Sequence, residues 1–595
     1  VQRRLITIAV ALTVLFGICE WRLSLIELWP RSKSGSSTQV ARQAVAQRDS
    51  ELVIDTGRGQ FVDRNGTPLT GKTINALALF PVREGQRGEL AQLSRLASLL
   101  GVNVQQLQAQ LAQLKEPSYW LEAGSGHPLA LTDKQLEGLK TVHMNGIRVV
   151  PYRQRYQAPY LAAQTIGYIS QHPERIKAAY GHEYATGKLK LNSVIGGAGL
   201  ERSLDRLLRG DGETTASYYT DAAGQPLQGL DVRVTAPVNR LYPLQVVTTL
   251  DAKLQAAIEE YADRSGLKQG AIVVLDVATR DIVTMVSRPK LNPEQVDAAG
   301  TAAANHAIRA VEPGSIFKLV TEAAALEAGV SVPTETFHCN GEYGRYGLSD
   351  WKKGGHGELN LREGLAHSCN IVFATVAERL TAKQLSDTAF RLGIGRQIGW
   401  HSEQSVGPLA GPIRLLEEEE SGQIFDRKQK SADGGVMAQT GIGQRDVRIS
   451  PLQAANMIAT IVNEGHVVEP RIVREIRYAN GQRLVSFPLH EASSPLGRLS
   501  PAATHELMEG MQLVVREGTG RFIQNGLWDA AGKSGTAEVV YNGADRVNQW
   551  FIGYGPLKSP KYAIAVLAEN RPPNTTNEAT RLFRAILDMA AKQQS

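Results

Sequence analysis

Apolar residues fall into several distinct rhythms along the chain. From Leu5 to Cys19 the run is almost uninterrupted, preceded by Arg3 and Arg4 and broken by Glu20 and Arg22. It is short for a bilayer core of about 30 Å. Trp21, Leu23, Leu25, Ile26 and Trp29 extend it into the interface, so residues 1–30 are expected to form a single-pass anchor with a cytoplasmic amino end. A cleaved signal peptide would need a small-x-small site, which is missing, and a lipoprotein signal would need a small residue where Ile18 stands. Residues 31–50, rich in Ser, Gln and basic side chains, suggest a linker. From Glu51 the pattern changes to short β-like pieces, 52–55, 60–63 and 76–80, around the turn Asp63, Arg64, Asn65, Gly66. Helical spacing follows over 89–100 and 104–114, where Leu107, Leu111 and Leu114 suit a packed surface helix, since no heptad is sustained.

A strand over 246–251 leads into a helix over 252–264, which puts the main boundary near residue 240. Ala271–Leu275 is a continuous apolar strand turned back at Ala278, Thr279, Arg280 into Ile282–Val286. Three more strands, 536–540, 549–554 and 562–568, come near the end, before a closing helix over 580–592. Helical segments fill much of the gap. The pattern predicts an α+β fold in which one antiparallel sheet is assembled from sequence-distant strands and flanked by helices.

Composition narrows this modestly. The chain has 595 residues, 42% hydrophobic and 21% charged, enough for a large core and against wholesale disorder. Its net charge of +6 includes no dense Lys/Arg tract, so an anionic membrane or cell wall suits it as well as nucleic acid does. Cys19, Cys339 and Cys369 are too few for a disulfide framework or a Cys-rich zinc site.

The candidate chemistry begins at Glu312, Pro313, Gly314, Ser315, Ile316, Phe317, Lys318, followed by an apolar helix over 319–326. Pro and Gly let a helix start at Ser315. A spacing of three then puts Lys318 within reach of the Ser315 hydroxyl, while the helix amino end favours a developing alkoxide. To accept a proton, Lys318 must have its pKa lowered by desolvation or a nearby cation. Ser368 and Asn370 flank Cys369, and in an extended segment both would project into one site. Lys533, Ser534, Gly535 and Thr536 open a strand in which Gly535 permits close approach of a ligand. Taken singly, each element has an ordinary structural explanation.

In this order, with 53 residues from Ser315 to Ser368 and 165 from Ser368 to Lys533, they match the signature of penicillin-interacting serine transferases. The chain closely resembles the class B penicillin-binding proteins, membrane-anchored transpeptidases of bacterial peptidoglycan synthesis. Arg58, Gly59 and the turn Asp63–Gly66 resemble the start of that family's pedestal, or dimerisation domain. Gly199, Leu200, Glu201, Asp205, Leu208 and Gly210 resemble its closing motif. Thr249, Leu250, Asp251, Leu254 and Gln255 resemble the start of the transpeptidase domain. His356, Gly357, Thr440–Gly443, Gly518, Thr519 and Trp550–Tyr554 also have counterparts.

The resemblance implies a pedestal over 51–240 of mixed α/β structure and, over 241–595, a transpeptidase domain with a five-stranded antiparallel sheet. It implies that Ser315 is the acylated nucleophile and Lys318 its general base. Ser368 relays a proton to the leaving amine, with Lys533 keeping its field positive. Asn370 binds the donor amide, Ser534 and Thr536 hold the terminal carboxylate, and the N–H groups of Ser315 and Thr536 form the oxyanion hole. No metal or organic cofactor is implied. The partners would be peptidoglycan stem peptides, β-lactams, the cell membrane and a polytopic glycosyltransferase of the shape, elongation, division and sporulation type; no nucleic acid is expected.

A β-lactamase of the same fold would need a deacylating acid, and Glu358, Leu359, Asn360 lies on the wrong side of the second motif. A D,D-carboxypeptidase differs only in using water as acceptor and stays open. A non-enzymatic β-lactam sensor is disfavoured by the complete motifs, and a bifunctional class A protein by the missing glycosyltransferase motif. Thr279–Arg280, where the family often has Thr-Gly, reads as a harmless departure. Glu417–Glu420 reads as a solvated face. His338 and His356 have no Cys or acid at ligand spacing, so packing is expected of them rather than metal binding. Cys339 and Cys369 read as separate buried thiols, with a redox-sensitive disulfide that repositions Ser368 and Asn370 as the alternative.

Overall fold

The computed structural model describes residues 10, 12–21, 49–82, 85, 87–219, 232–297, 300–426, 432–492 and 494–594. Residues 12–21 are helical and expose Leu12, Val14, Leu15, Phe16, Ile18 and Trp21. Among the described residues no helix is long and apolar enough to cross a membrane. The basic start of the expected anchor and residues 31–48 of the expected linker lie outside the described residues.

The chain divides into two compact units whose limits are not linear in sequence. One gathers 49–56, 73–153 and the described part of 212–238. In it Asp49–Asp55 pairs with Thr214–Tyr219, and Lys72–Leu79 shares a second sheet with Ser118–Tyr119 and Ile147–Gln154. Helix Leu90–Leu100 buries Leu93, Leu96, Ala97 and Leu100, one stripe at spacings of three and four. Helix Val104–Gln113 adds Leu107 and Leu111 to the same core, as expected of a packed surface helix.

The other unit takes in 57–72, 154–211 and 239–594. Its short strand Gln60–Val62 runs parallel to Gln245–Thr248, Gln60 opposite Gln245. Arg58 is buried with Glu201 and Asp205, donating from Nε to Glu201 at 2.8 Å and from Nη2 to Asp205 at 2.9 Å. Arg155 also pairs with Glu201. Burial alone would raise the Glu201 carboxyl, but the two guanidiniums hold it below the usual range. These residues, from the two ends of the expected pedestal, thus share a core with the strands that follow.

That core is organised by a five-stranded sheet. Its elements in chain order are α1 (Ala252–Arg264), β1 (Gly270–Asp276), β2 (Ile282–Arg288), α2 (Lys318–Ala328), α3 (Leu361–Ala366), α4 (Asn370–Glu378), α5 (Pro451–Val462), α6 (Pro501–Arg516), β3 (Ala531–Tyr541), β4 (Ala544–Gly555), β5 (Tyr562–Arg571) and α7 (Glu578–Gln594). The order across the sheet is β2-β1-β5-β4-β3, antiparallel throughout. Alternation in β1 sends Ala271, Val273 and Leu275 into the core that holds α2 and α5, and Ile272 and Val274 toward α1 and α7. Both faces are covered, which explains why β1 reads as a continuous apolar run.

The turn before β2 is more than a neutral replacement. Arg280 is fully buried with φ +57°. Its Nη2 donates 2.8 Å to the carbonyl of Ala459 in the last turn of α5, an end that favours a cation. Burial pulls the guanidinium down to about 10. The acidic run also departs from expectation. Glu419 is buried and accepts the N–H groups of Ile398 and Gly399, at 2.8 and 2.9 Å, while Glu417 and Glu418 face Arg202.

Candidate active site

The site lies where the edge strand β3 meets the amino end of α2. Gly314–Phe317 forms a 3-10 turn that runs into α2, so Ser315 precedes the α-helix proper and Lys318 opens it. Gly314 has φ +55°, and a Cβ there would sit 2.3 Å from the Thr536 carbonyl. A Cβ on Gly535 would come within 2.9 Å of Ile316 Cγ2 and of the Pro313 carbonyl. The absence of a side chain at Gly535 therefore admits the nucleophile turn against β3. Trp550 Nε1 donates 2.9 Å to Glu312 O, and Asn577 donates to the carbonyls of Gly535 and Trp550, fixing this junction from β4 and the start of α7.

Ser368 and Asn370 do not lie in an extended segment. Ser368 ends α3 with φ +57°, and the Ser368 and Cys369 N–H groups close that helix onto Leu365 O and Gly364 O. Asn370 then starts α4. The bend turns the Ser368 hydroxyl toward two lysines. Lys533 Nζ donates 2.9 Å to Ser368 Oγ and 2.7 Å to Ser534 O. Lys318 Nζ donates 2.7 Å to Ser368 O, 2.8 Å to Asn370 Oδ1 and 3.4 Å to Ser368 Oγ. Among the described residues Ser315 Oγ takes no hydrogen bond from Lys318; the amine is spent on the second motif.

Both lysines are fully buried. Burial is the main cause that brings Lys318 down to about 8, against the pull of Cys369 and Asp350. Lys533 is pushed well below the ordinary lysine range by burial and then by Lys318. Along β3, Lys533 and Gly535 are buried, Ser534 is half-buried and Thr536 exposed. Ser534 shares a 2.7 Å hydrogen bond with the Thr519 hydroxyl, a partner whose functional position the sequence marked only as part of Gly518–Thr519.

Behind the second motif lies a donor cluster that was not anticipated. Cys339, Asp350, His356 and Cys369 each place one donor atom so that all four lie within 4.8 Å of one another. Asp350 Oδ2 lies 2.7 Å from His356 Nδ1 and accepts from Cys339 Sγ at 3.1 Å; its Oδ1 accepts the Asn370 N–H at 3.4 Å. The expectation that His356 lacks acidic or Cys partners fails, because the hairpin Thr336–Cys339/Gly357–Asn360 folds sequence-distant residues together. Burial lowers the His356 pKa, keeping its ring neutral as a ligand requires. Two Cys, one His and one Asp suit a tetrahedral soft cation such as zinc, which here would brace the Ser368–Asn370 bend. Both thiols are free. The spacing of these four residues around the second motif was the available signal, with Asp350 the overlooked member.

The penicillin-binding protein transpeptidase domain family matches residues 270–588, more than half of the chain, and the penicillin-binding protein dimerisation domain family matches 53–242. The chain is a class B penicillin-binding protein. Among its relatives, the peptidoglycan D,D-transpeptidase MrdA of Acinetobacter baumannii is 28% identical, covering 87% of this chain and 78% of that one. Stage V sporulation protein D of Bacillus subtilis is 25% identical, covering 96% and 82%. A solved chain from a peptidoglycan synthase complex that coordinates polymerization and crosslinking superposes with a TM-score of 0.66 at 23% identity, covering 99% of this chain and 98% of that one, and shows the shared fold. This penicillin-binding protein thus has the family's five-stranded antiparallel sheet with the three motifs at one edge.

Proposed function

We propose that the protein is a serine-type peptidoglycan D,D-transpeptidase, acylated by the D-alanyl-D-alanine end of a donor stem peptide and deacylated by the amine of a neighbouring one. The observation that carries this reading is the Lys533–Ser368–Lys318 hydrogen-bond chain held beside the Ser315 turn. Ser315 Oγ attacks the donor carbonyl as its proton passes to neutral Lys318. The oxyanion is met by the N–H groups of Ser315 and Thr536. Lys318 passes the proton through Ser368 to the departing D-alanine amine, the C–N bond breaks and the ester remains on Ser315. An acceptor amine then attacks the ester, gives up its proton by the reverse route and restores the Ser315 hydroxyl. Asn370 would hold the donor amide, and Ser534 with Thr536 its carboxylate.

The family membership and the MrdA relatives support this substrate class. With water as acceptor, the same ester would give carboxypeptidase activity. The apolar start of the chain supports a place at the cell membrane, with 51–240 as pedestal and 241–595 facing the wall. A glycosyltransferase of the shape, elongation, division and sporulation type is the partner we favour, in line with the synthase complex whose fold the chain shares.

Labelling with a fluorescent penicillin tests the assignment. Wild type becomes covalently labelled and Ser315→Ala does not; equal labelling would overturn it. A donor peptide offered with an acceptor amine then separates cross-linked product from simple loss of D-alanine.

A further inference from the structure

Past the end of α6 at Arg516 the chain runs through Gly518, Thr519 and Gly520, a segment that touches both the second and the third motif. The Thr519 N–H donates 3.1 Å to the carbonyl of Ala366, the last residue of α3 and two residues before Ser368. Gly518 lets the segment come that close, since a Cβ there would sit 2.0 Å from the same carbonyl. The Gly520 N–H donates 2.9 Å to Val514 O and fastens the segment to α6 as well. The Thr519 hydroxyl meets Ser534 Oγ of β3 at 2.7 Å. Thr519 thus ties the helix end before Ser368 to the strand of the third motif, through its backbone on one side and its hydroxyl on the other.

A hydroxyl carries one O–H and two lone pairs. Between two hydroxyls only one can donate to the other, so one O–H of the Thr519–Ser534 pair is left over. Neither hydroxyl has a second hydrogen-bond partner among the described residues. If Ser534 donated to Thr519, it would turn lone pairs toward the site and repel an anion. If Thr519 donates, the O–H left over is that of Ser534, on a half-buried residue that shares its face of β3 with the exposed Thr536. Only the second arrangement offers a carboxylate a hydrogen.

We propose that Thr519 is a positioning residue that donates its hydroxyl hydrogen to Ser534 and so commits the Ser534 O–H to the terminal carboxylate of the donor peptide. The inference rests on the transpeptidase reading, in which Ser534 and Thr536 hold that carboxylate. Thr519 acts through Ser534 rather than on the substrate. Accepting a hydrogen bond polarises the Ser534 hydroxyl and strengthens the one it gives. Because the Thr519 backbone is pinned to Ala366 O, the group that holds the carboxylate keeps a fixed distance from the Ser368 bend, where the proton relay runs.

The test is acylation of the full chain by a fluorescent penicillin, whose carboxylate takes the place of the donor's, over a range of concentrations that separates the half-saturating concentration from the limiting rate. Thr519→Val keeps the shape of the side chain and removes the hydroxyl. It is expected to raise the half-saturating concentration about tenfold, as the loss of a charge-assisted hydrogen bond does, and to leave the limiting rate within about twofold of wild type. Thr519→Ser, which keeps the hydroxyl, should restore wild-type saturation, and Thr519→Ala decides in place of the Val variant if that one does not fold. Ser534→Ala should weaken saturation by a similar factor, and adding Thr519→Val to it should cost no more than about twofold further, because the two hydroxyls act as one unit. The methyl ester of the same penicillin has no carboxylate to hold, so Thr519→Val should react with it at the wild-type rate. Wild-type saturation in Thr519→Val, an equal loss with acid and ester, or losses that add in the double variant would overturn the proposal and leave the transpeptidase reading standing. Absence of acylation in the wild type would overturn that reading and this inference with it.

Discussion

At the scale of single residues, the site depends on backbone positions that few side chains allow. Gly535 faces the Pro313 carbonyl so closely that an added methyl must push β3 away from the Ser315 turn. Gly535→Ala is therefore expected to slow penicillin acylation about ten- to a hundredfold, measured as the second-order rate. The same rate should depend on the Lys318 amine. Protonated, Lys318 cannot take the Ser315 proton, so acylation rises with pH as that amine is freed around about 8. Ser368 shows what a sequence leaves unsaid. Its membership in the site was legible from the Ser-x-Asn motif, but its φ of +57° was not, because the conformation comes from the closure of α3 on Gly364 and Leu365. Glu322 was passed over inside a helix read as apolar over 319–326, although its carboxyl is fully buried there.

Among elements, long segments with strong periodicity read correctly. The helix expected over 252–264 occupies those residues, and the late strands were found, although each is longer than its apolar part because edges and turns carry polar residues. Segments held by side chains were harder. Glu417–Glu420 looks like a solvated run, yet Glu419 tethers the 398–399 backbone with both oxygens. Glu419→Gln leaves one of those N–H groups facing an amide donor, and should cost about 1–3 kcal/mol in denaturant unfolding. The four-donor cluster makes a similar demand on the 336–370 region. With zinc added, Cys339 and Cys369 should resist alkylation, and a chelator should restore their reactivity, both read by intact mass. A disulfide between them would show instead as the loss of two hydrogens in the unreduced mass.

Across the whole molecule, the two units cut across the division suggested by composition. Phe61, Ile166, Leu200, Leu204 and Leu208 share one core with β1 and α5. A fragment holding only 241–595 would leave that apolar surface open, and is expected to unfold at lower denaturant than one that also supplies 57–211. Arg58→Ala should be costly in the intact chain, about 3–5 kcal/mol, since it leaves Glu201 and Asp205 buried with less of their counter-charge; the unfolding midpoint is the measurement. None of this is visible in local sequence, because the pairings join residues 143 and 147 positions apart.

The parallel pairing of Gln60–Val62 with Gln245–Thr248 also sets a timetable. A ribosome adding about 5–20 residues per second needs on the order of ten to forty seconds to travel from one strand to the other. For that interval Phe61, which ends fully enclosed, lacks the part of its cover that comes from Gln245 onward. The nascent chain therefore passes through a stage in which the strand Gln60–Val62 is made but unpaired, a stage open to proteases and to chaperones alike.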